Sequence, residues 1–208
     1  MVITLVVECF DFSRKALSDA LQRPHDRGAL FLSYHLPSLT WNPDTCRIEG
    51  EDALRVYLEC ALESGVDSLT VHVPQAPACE MEQLKEDALQ STKLYQESER
   101  GFAQLFREPA RTGIRIAIEN VHNTPRTPVN APHRKFSTTI DEYHRWIDTV
   151  ARSMADIPGA TVGTLLDVGH ARNSGGDLDN LQPLCDWCAR LGHHILGYHI
   201  HQVDNDPD

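Results

Sequence analysis

Five short apolar runs in this 208-residue chain each end at, or within a residue or two of, a side chain that can bind a metal. They are Leu32-Ser33-Tyr34-His35, Leu69-Thr70-Val71-His72, Ile116-Ala117-Ile118-Glu119, Thr164-Leu165-Leu166-Asp167 and Gly197-Tyr198-His199-Ile200-His201. Runs of this composition suit the strands of a parallel sheet, which are buried on both faces. An ionisable group at the end of such a strand is costly to bury unless opposite charge compensates it. A metal ion is the obvious compensation for carboxylates and imidazoles recurring at that position. The stretch through Asp167-Val168-Gly169-His170 states the pattern most sharply, with an imidazole three residues beyond the carboxylate.

The segments between these runs read as helices. Hydrophobic spacing and caps predict helices over residues 13–22, 51–64, about 80–106, 139–154 and 178–191, with Ser13 as an N-cap and Gly65 as a C-cap. Pro24 and Gly28 are expected to close the first unit. Strands are expected at 2–9, 30–35, 68–73, 114–119, 161–167 and 195–201. Strands alternating with helices define an α/β fold around a parallel sheet. No early Gly-rich phosphate loop marks an open dinucleotide-binding sheet. Ligand-type residues at the C-terminal ends of several strands instead suit a TIM-type (β/α)8 barrel, whose strands all present that end to one site. Six strands are visible where eight are needed, so the expectation is one incomplete barrel domain over 1–208, truncated at both ends, with the first and last strands missing.

Charge narrows the partners. Nineteen Lys and Arg against thirty Asp and Glu give a formal net charge of -11, the opposite of a surface built to neutralise phosphates. A small polar substrate fits better than nucleic acid. No apolar run approaches the ~20 residues of a membrane span, and the first residues lack a signal peptide's basic segment, so a cytoplasmic protein is expected; a homo-oligomer is left open. Six scattered cysteines suggest reduced thiols rather than a disulfide framework. Cys185-Asp186-Trp187-Cys188 spells a lone CxxC on a predicted helix, where both thiols read as small core residues.

Tyr34-His35-Leu36-Pro37, Val71-His72-Val73-Pro74, Ile118-Glu119-Asn120, Leu166-Asp167-Val168-Gly169-His170 and His199-Ile200-His201 together resemble, in order and spacing, the xylose isomerase-like TIM barrels. That superfamily holds sugar isomerases and epimerases and the endonuclease IV type of DNA repair enzyme. The resemblance implies that Glu119, Asp167 and His199 ligate one divalent ion (Mn, Mg, Co or Zn), with a fourth carboxylate falling beyond Asp208. It implies that Glu119 also serves in acid/base catalysis. His35, His72 and His170 match further ligand positions of the endonuclease IV group, or substrate contacts in isomerases. His201, two residues beyond His199 and on the same face of the strand, is the rival ligand.

Other residues read as lesser candidates. Glu8 ends the first strand. His122, His133, Arg134 and Lys135 lie in a long loop, the basic pair suiting a phosphate or carboxylate. His193-His194 read as helix C-terminal residues facing the macrodipole, and Trp41 and Trp146 as packing residues. The leading functional expectation is a divalent-metal-dependent isomerase or epimerase moving a proton next to the carbonyl of a sugar-like substrate. An endonuclease IV-like phosphodiesterase with three zinc ions is the alternative. A noncatalytic or partner-completed metal-binding barrel is the third reading.

Overall fold

The computed structural model describes residues 4–8, 13–27, 31–42, 45, 47–77, 93–121, 133–134, 139–172 and 183–200. Among these residues six parallel strands form the principal sheet: β1 (Thr4–Glu8), β2 (Phe31–His35), β5 (Ser68–His72), β7 (Arg115–Glu119), β9 (Val162–Asp167) and β10 (Ile195–His199), in that spatial order. Every pairing joins strands consecutive along the main alternation, as in a barrel wall. The helices between them are α1 (Arg14–Asp26), α2 (Glu51–Ser64), α3 (Lys93–Leu105), α4 (Arg107–Arg111), α5 (Ile140–Ser153), α6 (Val168–Arg172) and α7 (Leu184–Leu191). The parallel sheet forms part of a barrel, in agreement with the expected incomplete (β/α)8 architecture. No helix among the described residues is long and apolar enough to cross a membrane.

The two faces of the sheet differ in chemistry. Leu32, Tyr34, Leu69, Val71, Ile116, Ile118 and Leu166 alternate outward and are almost wholly buried under the helices. The intervening positions turn into the barrel and carry small or polar groups ending in the ligand-type residues: Ser33 then His35, Thr70 then His72, Ala117 then Glu119. Ser33 and Thr70 meet across this inner face at 3.1 Å. Register staggers the row. His35 pairs with Thr70, two residues before His72, and Glu119 pairs with Leu165, two before Asp167. This stagger keeps side chains of one face convergent as a sheet curls into a barrel.

Local sequence explains the helices that position the sheet. In α2, Gly65 sits at φ 62° and closes the helix as predicted, its N–H donating to the Leu62 carbonyl. In α5, the Thr139 hydroxyl accepts from the Glu142 N–H at 3.3 Å. Ile140, Tyr143, Trp146, Ile147 and Val150 form its buried face, each worth roughly 1.5–3 kcal/mol on burial. Trp146 packs edge-on against Phe102 at 5.5 Å between ring centroids, as a packing residue should. Among the described residues, the exposed large apolar side chains, Leu196, Tyr198 and Ile200, all lie on or beside β10 at the sheet edge.

Several expectations are corrected. Helix α1 continues through Pro24 to Asp26 instead of closing before it. The loop around Trp41 is an antiparallel hairpin of β3 (Thr40–Asn42) and β4 (Arg47–Glu49). Part of the long loop after β7 folds back, so that β8 (His133–Arg134) pairs with β6 (Ala76–Pro77). Cys185 and Cys188 are exposed, not core residues. Trp187 and Leu191 take the buried face of α7, because a large indole seated against the sheet rotates the flanking thiols outward.

Candidate metal centre

Glu119 is the hub at the C-terminal ends of the strands. It is 1% exposed, and its carboxylate is shared between two sets of neighbours. One oxygen, Oε2, lies 2.9 Å from His35 Nε2 and 3.3 Å from His72 Nε2. The other, Oε1, lies 3.0 Å from His199 Nδ1, which also stands 3.5 Å from Asp167 Oδ2. Two donor groups result, His35–His72–Glu119 and Glu119–Asp167–His199, each with its ligand atoms within 4.8 Å of one another. Separate strand ends supply these residues, and the sheet register alone brings them together.

Asp167 and His170 are fixed by main-chain bonds. The Asp167 Oδ1 accepts from the His170 N–H at 2.7 Å, capping α6 and leaving Oδ2 toward His199. His170, expected in a loop, therefore sits on a short helix. Its Nδ1 donates to the Asn120 carbonyl at 2.8 Å, which places the ring's lone pair on Nε2. Asn120 belongs to the Ile118-Glu119-Asn120 motif but has no role that the sequence alone assigns. It is fully buried and clasps the main chain of Asp167, accepting from its N–H at 2.8 Å and donating to its carbonyl at 3.0 Å. Nothing in a lone Asn after a strand signals that clasp; only the neighbouring strand end reveals it. Tyr143 braces the same region from outside, its hydroxyl donating to the Ile118 carbonyl at 2.6 Å and meeting the Thr164 hydroxyl. Burial drives its pKa upward, so it stays a neutral phenol.

The electrostatics concentrate on the hub. Burial alone would push the Glu119 carboxyl up, but hydrogen bonds from His199 and His35 and the nearby His72 ring outweigh it, holding the group well below the usual carboxylate range. Hydrogen bonds to Asp167 and Glu119 push the His199 ring up to about 10. The Glu119 carboxylate therefore stays ionised, balanced in the metal-free chain by the His199 imidazolium, whose proton a bound metal would displace.

The donor set suits a metal in three respects. His35 Nδ1 faces the Leu36 carbonyl at 2.8 Å and donates to it. Its Nε2 then faces a carboxylate oxygen, an arrangement that needs either a second proton or a shared ion. His72 Nε2 is buried and makes no hydrogen bond, although a carboxylate oxygen is 3.3 Å away. The separations of 2.9 to 3.5 Å match the ~3.0–3.4 Å between ligand atoms on one ion with bonds of about 2.0–2.2 Å. Glu119, Asp167 and His199 are the set expected for one divalent ion; His35 and His72 join Glu119 in the second. A cavity of about 560 Å³ opens over both, lined by His35, His72, Glu119, Asp167, His170 and His199, a size typical of small-molecule sites.

Some candidates lie elsewhere. His201, His122 and Lys135 fall outside the described residues, as do the side chains of Glu8, Trp41, His133 and Arg134; the Glu8 backbone ends β1 in register with His35. His193 and His194 form a one-turn 3-10 helix after α7. Their rings are 4.0 Å apart, and His144 of α5 lies 5.3 Å from His194. Burial and the adjacent imidazoles hold the His194 ring below its ordinary value.

A curled parallel sheet with carboxylates and imidazoles converging at its C-terminal edge defines a barrel with a metal centre's donor set. Residues 8–208 match the family described as "Xylose isomerase-like TIM barrel", and the chain belongs to that family. No curated protein matches it. Among solved structures, a D-tagatose 3-epimerase-like protein is 18% identical, with a TM-score of 0.59 over 96% of this chain and 67% of that one. The 3-keto-D-glucoside 4-epimerase of E. coli is 16% identical, with a TM-score of 0.54 over 91% and 67%. Endonuclease IV from Thermus thermophilus is 19% identical, with a TM-score of 0.52 over 92% and 64%. At these identities the likeness concerns the fold, and the chain spans about two thirds of the length of each.

Proposed function

We propose that this chain is a divalent-metal-dependent isomerase or epimerase acting on a sugar-like hydroxy-carbonyl substrate by proton transfer next to the carbonyl. The observation that carries the reading is the Glu119 carboxylate, buried and shared among the His35, His72 and His199 imidazoles beneath an open cavity. Glu119, Asp167 and His199 would hold one divalent ion. Such an ion, when bound, draws electron density from a carbonyl and its neighbouring hydroxyl and so acidifies the intervening C–H.

The chain's own residues supply the rest. Glu119 faces the cavity and would accept the proton from the carbon next to the carbonyl; delivering it to the adjacent carbon on the same face completes isomerisation, whereas epimerisation needs a second acid on the opposite face. His170, with Nδ1 committed to Asn120, offers Nε2 to a substrate hydroxyl. Buried Leu36 and half-buried Pro37, beside His35, give the cavity an apolar wall on that side. The epimerases among the structural neighbours support this class of chemistry for the fold.

A second reading rests on the second donor group. His35, His72 and Glu119 would hold a further ion in a multinuclear phosphodiesterase, supplying Lewis-acid activation of a phosphoryl oxygen, and endonuclease IV is among the neighbours. The acidic net charge of -11 weighs against a nucleic-acid substrate.

Elemental analysis of protein purified without chelators tests both, beside a Glu119→Ala, Asp167→Ala double variant. About one divalent ion at this centre, lost in the double variant, together with solvent-deuterium incorporation next to a ketose carbonyl, is expected. Zinc at both donor groups with incision of abasic-site DNA would replace the isomerase reading by the phosphodiesterase one. Absence of metal in the folded chain would remove both.

A further inference from the structure

We infer that this protein has a second metal site, remote from the strand-end centre, in which His144, His193 and His194 bind a transition-metal ion of the zinc type. The three residues come from α5 and from the 3-10 turn that leads into β10. Each can offer one ring nitrogen, and these atoms lie within 4.8 Å of one another. One ion with bonds of about 2.0–2.1 Å draws its ligand atoms to ~3.3 Å, a contraction that rotation about the side-chain torsions supplies. The site lies at the N-terminal end of β10, whereas His199 and the Glu119 centre lie at the C-terminal end of the sheet.

The surroundings of His144 fit ligation. Its Nδ1 stands 3.3 Å from the Asp148 carboxylate one helical turn on, which leaves Nε2 as the metal-binding atom. A carboxylate accepting from one imidazole nitrogen while the other binds metal fixes the tautomer, turns the ring and raises its basicity. The His193 and His194 rings are crowded to 4.0 Å, and His144 meets His194 at 5.3 Å. Close packing of three partly exposed imidazoles gains little by itself, but a shared ion turns it into three bonds.

The turn is held in place independently of any ion. A Cβ on Gly163 of β9 would stand 2.2 Å from the His194 carbonyl oxygen, so only glycine lets this turn settle against the sheet. Three imidazoles with no thiolate in the group select Zn(II), Ni(II), Co(II) or Cu(II) over the oxygen-seeking Mg(II) and Ca(II). Bound there, the ion ties α5 to the start of β10, the edge strand that carries His199. The site is therefore structural, fastening a strand that, among the described residues, the sheet pairs on one side only.

The test uses the full chain with Glu119→Ala and Asp167→Ala, which disable the strand-end centre. Calorimetric titration with zinc, and with Co(II) followed by visible absorption, is expected to show one equivalent bound and an intense, tetrahedral-type spectrum. Zinc is also expected to raise the midpoint of thermal unfolding. Adding His193→Asn and His194→Asn should abolish the binding and the thermal shift while circular dichroism stays unchanged. His144→Gln alone, should the double change impair folding, is expected to weaken zinc binding at least tenfold. Absence of zinc binding in the strand-end variant overturns the inference, as does binding that survives the histidine substitutions. Failure of the isomerase reading reads out separately, as unchanged metal content on replacing Glu119 and Asp167.

Discussion

Replacing Asn120 tests whether the geometry of the centre depends on a single buried amide. Its side chain makes two bonds to the Asp167 main chain, of 2.8 and 3.0 Å, with no exposure to solvent. A neutral buried hydrogen bond contributes about 0.5–1.5 kcal/mol, and a partner left unpaired costs about 1–3 kcal/mol. Asn120→Ala should therefore lower unfolding free energy by about 2–4 kcal/mol, measured by urea denaturation of metal-free protein at neutral pH. Asn120→Asp keeps the acceptor for the Asp167 N–H but removes the donor to its carbonyl and introduces a charge beside Glu119. It should be at least as damaging at neutral pH, and its penalty should shrink as the introduced carboxyl protonates. Both variants should weaken metal binding by ~10–100-fold, because Asp167 loses the support that aims Oδ2. Stability of Asn120→Ala within ~0.5 kcal/mol of the parent, or of Asn120→Asp equal to it, would refute the reasoning.

Three further outcomes are expected. The His199 ring titrates near 10 in the metal-free chain, raised by Asp167 and Glu119. Its stabilisation is thus complete below its ordinary value near 6.5 and fades as pH rises through about 10, at no more than about 1.4 kcal/mol per pH unit and less for a side chain 30% exposed. Metal must displace that proton, so affinity should increase with pH, and calorimetry in buffers of different ionisation enthalpy should register proton release; a pH-independent affinity between about 7 and 9 contradicts it. Gly163→Ala forces a methyl into the His194 carbonyl and should cost about 1–3 kcal/mol or more by thermal denaturation; an unchanged midpoint would mean that the turn yields freely. Thiol reagents should modify Cys185 and Cys188 in the native protein and reach buried Cys60 only on unfolding, which peptide mapping distinguishes; native-state labelling of Cys60 would contradict the packing of α2.

What the sequence disclosed and what it concealed follow from the range of the forces involved. The strand-end pattern exposed Glu119, Asp167, His199, His35 and His72 because a parallel strand announces itself by composition, and an ionisable residue at its end breaks that composition. The α2 boundaries were equally legible, since a C-cap such as Gly65 acts within one turn of chain. Asn120 was visible but mute. Its role depends on Asp167, 47 residues away, and on a register set by pairing across β7 and β9. The exposed CxxC was misplaced for a related reason: a helix of eight residues offers several faces of similar polarity, and only the sheet beneath decides that Trp187 is buried. The His144, His193 and His194 group combines both cases, with two members adjacent in sequence and the third far earlier in the chain. Local pattern located the neighbouring pair and assigned it to a helix terminus, and the close approach at Gly163 supplies the juxtaposition that makes a metal site conceivable. Strand ends carrying side chains of ligand type can therefore be read from one chain, whereas the residues that aim and brace them become readable only once the register is known.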